Sequence, residues 1–191
     1  MAAEELMLNK GFHEVGLNEI LKAVGVPKGS FYHHFSSKED FGVQMLKHYI
    51  NEHTEGRKLG FSDPEYGENA IERIFGFWQS KFDLFVENGC ECPCLLLKLT
   101  AEVGESSEAM RNAISDGLKA WQALYEDIFS QAIRDGLLDP ETDVTAEALY
   151  LQNYLDGAIQ HSVTIRDPYP AAVALKQLRR HFTHTLALTY S

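Results

Sequence analysis

The chain has 191 residues, 45% of them hydrophobic, and carries 17 basic against 28 acidic residues, for a net charge of −11. That is enough apolar material for one substantial core, or for a small domain joined to a larger one. No run approaches the ~20 apolar residues of a membrane span, the acidic start is no secretory leader, and three cysteines within five residues are no extracellular disulfide framework, so the cytoplasm is the expected compartment.

The charge is unevenly spread. Five lysines against six acids leave residues 1–48 near neutral, so the remaining chain holds −10 of the total. Residues 27–38 contain two lysines, two histidines and no acid. A near-neutral head with a basic tip on an acidic body suits a protein that meets an anionic partner at that tip.

Residues 2–10 read as a helix, with Leu6 and Leu8 near its apolar side and Gly11 ending it. Phe12 anchors the turn that follows. A helix over 17–24 runs into Gly25, a residue that tolerates the positive φ of a tight inter-helix turn. Pro27 suits a helix's first turn. The next helix is short, with Phe31 and Phe35 four apart on one face and Lys28, Ser30, Tyr32, His33 and His34 on the remainder. Ser36 and Glu39 read as a capping box that starts a further helix over 39–55. That helix is expected to act as a lever between head and body.

Residues 56–69, rich in Gly and charge with Pro64, read as a loop. Ile71, Ile74, Phe75, Trp78, Phe82, Phe85 and Val86 then mark an amphipathic helix stopped by Asn88-Gly89. A short helix follows over 95–103. Ser106 is expected to cap the next, whose stripe runs from Met110 to Ala132 and ends at Gly136. Asp139-Pro140 breaks the chain, Asp143 or Thr145 starts a helix carrying Leu149, Leu151, Leu155, Ala158, Ile159 and Val163, and Asp167-Pro168 breaks it again. The last helix shows Leu175, Leu178, Phe182 and Leu186. The expected fold is all-α with about nine helices: a three-helix head over 1–46 and a helical body over 47–191.

Two helices joined by a Gly turn, the second polar and aromatic, describe either an ordinary helical hairpin or a helix-turn-helix that lays its second helix in the DNA major groove. The residues decide. Gly11-Phe12, Ile20, the run from Ala23 to Phe35 and Ser37-Lys38-Glu39 resemble the DNA-binding segment of TetR-family transcriptional regulators. The resemblance implies that Lys28, Ser30, Tyr32, His33 and His34 face DNA, in a segment that includes Pro27 and Gly29, and that Lys38 meets a phosphate. Gly16 stands where that family usually has Thr or Ser capping the first helix of the motif, a weaker cap by a few tenths of a kcal/mol. The resemblance also implies a homodimer through the last two helices, reading a pseudo-palindromic double-stranded operator.

The second informative stretch is Asn88-Gly89-Cys90-Glu91-Cys92-Pro93-Cys94-Leu95-Leu96-Leu97-Lys98. Pro93 fits a first helical position, which makes Cys92 the cap and places Cys94 in the first turn. There the positive end of the macrodipole and Lys98, four residues on, favour a thiolate. Three readings stay open: Cys94 as a small buried hydrophobe, a reactive thiol with Cys90 and Cys92 as resolving partners, or a thiolate metal site, although Cys-X-Cys-X-Cys is no standard zinc spacing. The run from Cys94 to Val103 with Ser107-Glu108-Ala109-Met110-Arg111 resembles the regulators of N-ethylmaleimide reductase, which sense electrophiles through a cysteine at the position of Cys94. The lysine that assists sensing in that group falls near Ser162 here.

Trp78, Phe82, Trp121, Tyr125, Tyr154 and His161 come from helices expected to surround the body's interior. They are core aromatics individually and a candidate apolar effector pocket collectively. The resulting expectation is a dimeric DNA-binding repressor, without metal or other cofactor, released by thiol modification or by a small molecule. The alternatives are a small metal- or thiol-dependent helical enzyme, for which no paired carboxylates, phosphate loop or triad is visible, and a constitutive DNA binder.

Overall fold

A computed structural model describes residues 2–91 and 94–188, and the side chains among them as far as Thr183. Cys92, Pro93 and the Leu186 side chain lie outside the described residues. Among those described, the chain forms nine α-helices and no strand: α1 Ala2–Lys10, α2 Leu17–Val24, α3 Lys28–His34, α4 Lys38–Ser62, α5 Ala70–Glu87, α6 Leu95–Val103, α7 Glu108–Arg134, α8 Val144–Ile165 and α9 Tyr169–Leu188, with a 3-10 turn at Pro64–Tyr66. The all-α expectation is met.

Two compact units divide the chain, one formed by residues 1–53 and 93–119, the other by 54–92 and 120–191. In the first, Val15, Ile20, Leu46, Leu95, Leu96, Leu99 and Val103 are wholly buried. Met7 is the fully buried apolar residue of α1, whereas Leu6 and Leu8 are half-buried, so the apolar side is rotated from the one expected. Gly42 brings α4 against Phe12: a Cβ there would lie 2.6 Å from the ring.

Several boundaries move by a residue. The cap of α4 is Ser37, whose Oγ accepts the Asp40 N–H at 3.0 Å, while the Asp40 carboxylate accepts the Ser36 N–H at 2.8 Å. The cap is therefore Ser37 in place of Ser36, and Asp40 in place of Glu39 reaches back, to the Ser36 N–H. Hydrogen bonds from Gln44 and then Ser36 hold the Asp40 carboxyl below its usual pKa. Ser107 rather than Ser106 caps α7, accepting the Met110 N–H at 3.1 Å.

In the second unit Phe61, Ile74, Phe75, Phe129, Leu151, Leu178 and Phe182 build the core. Residues 56–62 are the end of α4 rather than loop. Gly60 is what the packing uses there, because a Cβ would lie 2.2 Å from the Phe77 ring, and the glycines that argued for a loop are tolerated mid-helix at about 1 kcal/mol each. Asp143 caps α8 by accepting the Ala146 N–H at 3.0 Å. Arg166, at φ 54°, closes that helix, and α8 and α9 pack together after the turn that follows.

Candidate nucleic-acid interface and sensing elements

In the head, Gly25 takes φ 68° and its N–H closes α2 onto the Leu21 carbonyl, which frees the chain to turn into α3. Pro27 is the residue just before α3, extended at φ −63° and ψ 147°, rather than within the first turn. Phe31 is buried against Phe35 and Phe41, with ring centroids 5.1 and 5.6 Å away. Everything else on α3 is exposed: Lys28, Gly29, Ser30, Tyr32, His33 and His34, as is Pro27 before it. Tyr32 keeps 52% of its surface in solvent. A helix held by one aromatic anchor, with all its donors turned outward, is shaped to enter a groove.

Lys38 behaves differently from these. Its ammonium donates to the Phe12 carbonyl and lies 4.5 Å over the Phe12 ring. Partial burial there lowers its pKa, and the Glu102 charge pulls it back upward.

The cysteines separate. Cys94 is the residue before α6, half-buried, with no bond from its side chain to the helix N–H groups, so the cap is Cys94 where Cys92 was expected. The Leu95 N–H beside it donates to the buried Tyr49 hydroxyl at 3.2 Å. Cys90 is buried at φ 61° among Phe85, Ala171 and neighbouring apolar side chains. Neither residue is in a disulfide, and the described residues contain no His, Cys, Asp and Glu grouping that could hold a metal. The Lys98 ammonium is directed to the Leu8 carbonyl at the end of α1. Ser162 is fully buried and its hydroxyl accepts the Ala171 N–H at 3.0 Å.

Of the six candidate pocket residues, the structure brings three together. The Trp78 indole N–H donates to the Tyr125 hydroxyl at 3.1 Å, and the Trp121 indole N–H donates to Thr54 at 3.1 Å. Both indoles face Arg57, whose guanidinium lies 5.5 and 3.7 Å from their rings. Phe82 packs at the edge of the core, while Tyr154 and His161 are exposed on α8. Burial raises the Tyr125 pKa to about 12 and that of Asp156 to about 6, with Arg57 opposing both shifts. Sequence reasoning missed Arg57 and Asp156. Each is one of several charges on its helix, and what marks it is its surroundings, the two indoles facing Arg57 and the desolvation of Asp156, which periodicity does not reveal.

A helix-turn-helix with a bared second helix, among described residues whose only regular structure is helical, is the architecture of a DNA-binding regulator. Residues 1–42 match the family of bacterial regulatory proteins called tetR, and residues 70–178 match the tetracyclin repressor-like C-terminal domain. The chain belongs to the TetR family of transcriptional regulators. It is 44% identical to the HTH-type transcriptional repressor NemR of Escherichia coli over 135 residues, which span 70% of this chain and just under two thirds, 64%, of NemR. It is 32% identical to the transcriptional regulator AcuR of Cereibacter sphaeroides over 95% of this chain and 82% of that one. The crystal structure of reduced E. coli NemR superposes with a TM-score of 0.83 at 31% identity, covering 94% of this chain and 92% of NemR.

Proposed function

We propose that this chain is a dimeric repressor that holds a pseudo-palindromic operator in the reduced state and releases it when Cys94 is alkylated by an electrophile. Residues 1–46 are its DNA-binding head and 47–191 its sensing and dimerising body, acting in the cytoplasm without catalysing a reaction. The observation that carries DNA contact is the exposure of every α3 residue but Phe31.

Exposed Leu149, Tyr150 and Tyr154 on α8, with Ile165 and Tyr169 at the turn into α9, support dimerisation through those two helices. Thiol sensing is supported by the half-buried position of Cys94 at a helix start and by the similarity to NemR, a repressor whose structure is described as a reduced form. In the sensing step the thiolate adds to an activated carbon–carbon double bond. A C–S bond forms, the π bond opens, and a proton from water ends on the carbon next to the activating carbonyl.

Footprinting on DNA flanking the protein's own coding sequence tests the DNA assignment. Protection of two half-sites about one helical turn apart, lost in Lys28→Ala with the dimer intact, is the expected result. Equal protection by the variant removes α3 from the interface.

A further inference from the structure

The helix that follows Cys94, α6, is tied at its other end to the turn between α1 and α2. The Glu102 carboxylate accepts the Phe12 N–H at 2.9 Å and the His13 N–H at 2.5 Å, one on each oxygen. Lys38 donates to the Phe12 carbonyl, so the turn is held through its N–H groups by α6 and through its carbonyl by α4. Lys38 stands four residues after the end of α3. Gly11 makes the approach possible: at φ 86° it leaves room that a Cβ would take away, 2.6 Å from a Glu102 oxygen. All of these residues lie within one compact unit.

Leu95, Leu96, Leu99 and Val103 are wholly buried along α6, and a close-packed helix transmits a push at one end rather than absorbing it. Cys94 and Glu102 are separated by about 12 Å of that helix at ~1.5 Å per residue.

We propose that Glu102 is the positioning residue that converts modification of Cys94 into loss of DNA binding. An adduct on Cys94 displaces α6, Glu102 carries the α1–α2 turn with it, and through Phe12 and Lys38 the start of α4 and the adjoining recognition helix leave their DNA-binding setting. The inference rests on the thiol-sensing reading above and adds the route by which the signal leaves α6. It requires the two settings of the turn to differ in their affinity for DNA.

The test uses the full-length dimer, with N-ethylmaleimide as probe and mass spectrometry confirming equal alkylation of Cys94 in every sample. Wild type, Glu102→Ala and Glu102→Gln are compared for operator affinity before and after alkylation. Glu102→Gln keeps the side chain's shape and one acceptor oxygen, so it reports even where the alanine variant folds poorly. The wild type should lose at least about 10-fold in affinity, within the usual range of allosteric coupling. Glu102→Ala should bind nearly as well when reduced and lose less than about 3-fold on alkylation, with Glu102→Gln between them. Variants that respond as fully as wild type overturn the Glu102 route and leave thiol sensing standing. Variants that fail to bind even when reduced show a merely structural role and overturn it as well. A wild type that does not respond overturns the sensing reading, and this route with it.

Discussion

The guanidinium of Arg57 lies 3.7 Å above the indole of Trp121, within the body and on the same helix that begins beside the recognition helix. A cation over an indole is worth about 0.5–1 kcal/mol at the surface and about 2 kcal/mol where it is desolvated, and half-buried Arg57 falls between. Arg57 also opposes the burial that pushes Asp156 up to about 6.

That value has a consequence for stability. Between about pH 4 and 6 the folded chain keeps the Asp156 proton that the unfolded chain has released, so stability falls as pH rises through that window and levels above it. Moving the midpoint from 3.8 to about 6 corresponds to about 3 kcal/mol at ~1.36 kcal/mol per pH unit. Urea unfolding of wild type and Asp156→Asn from pH 4 to 7 checks this. The wild type should lose up to that amount relative to the variant, whereas parallel curves would mean that Asp156 titrates normally.

Two glycines should answer alanine in opposite ways. Gly56 in α4 faces open space, so Gly56→Ala should stabilise by about 0.5–1 kcal/mol through helix propensity. At Gly76 in α5 a Cβ would lie 2.0 Å from the Tyr66 carbonyl oxygen, a backbone atom with little freedom to yield. Gly76→Ala should destabilise by at least about 1–3 kcal/mol. Thermal melts of the two variants should shift in opposite directions.

On α3, Tyr32→Ala and Lys28→Ala should each weaken operator binding by about 1–3 kcal/mol, roughly 5- to 150-fold. If Lys28 meets a phosphate, its variant should also lower the slope of log affinity against log salt by about 1. Sedimentation should show unchanged dimers, since both side chains are exposed on α3.

Among the thiols, Cys94 should be alkylated well before Cys90, which retains 5% exposure inside an apolar cluster. Peptide mapping after brief treatment with N-ethylmaleimide resolves the order. Cys94→Ser should keep reduced-state DNA binding and abolish release by the electrophile.

Much of the head could be read directly from the chain. Gly25, Phe31 and Phe35 carry local signals, a positive φ and a four-residue aromatic spacing, and the structure uses them as expected. Boundaries with two adjacent candidates are harder: Ser36 and Ser37, like Ser106 and Ser107, are equally good caps by type, and the chain uses the second of each pair. The run of α4 through Gly56 and Gly60 was hidden because Phe77, which makes Gly60 necessary, lies 17 positions along the chain. Glu102 escaped for a related reason. Its partners, Phe12 and His13, are about 90 residues away, and no spacing rule reaches that far.

Whether the protein is a DNA-binding repressor switched by a thiol is decided by fluorescence anisotropy on DNA from around its own coding sequence. Binding is measured at two salt concentrations with the protein reduced, then after N-ethylmaleimide treatment, alongside Cys94→Ser. The reduced dimer should bind tightly and more weakly at higher salt, lose at least about 10-fold on alkylation, and lose nothing in the variant. Tight binding that ignores the electrophile would contradict the thiol switch, and no specific binding at either salt would contradict the assigned interface itself.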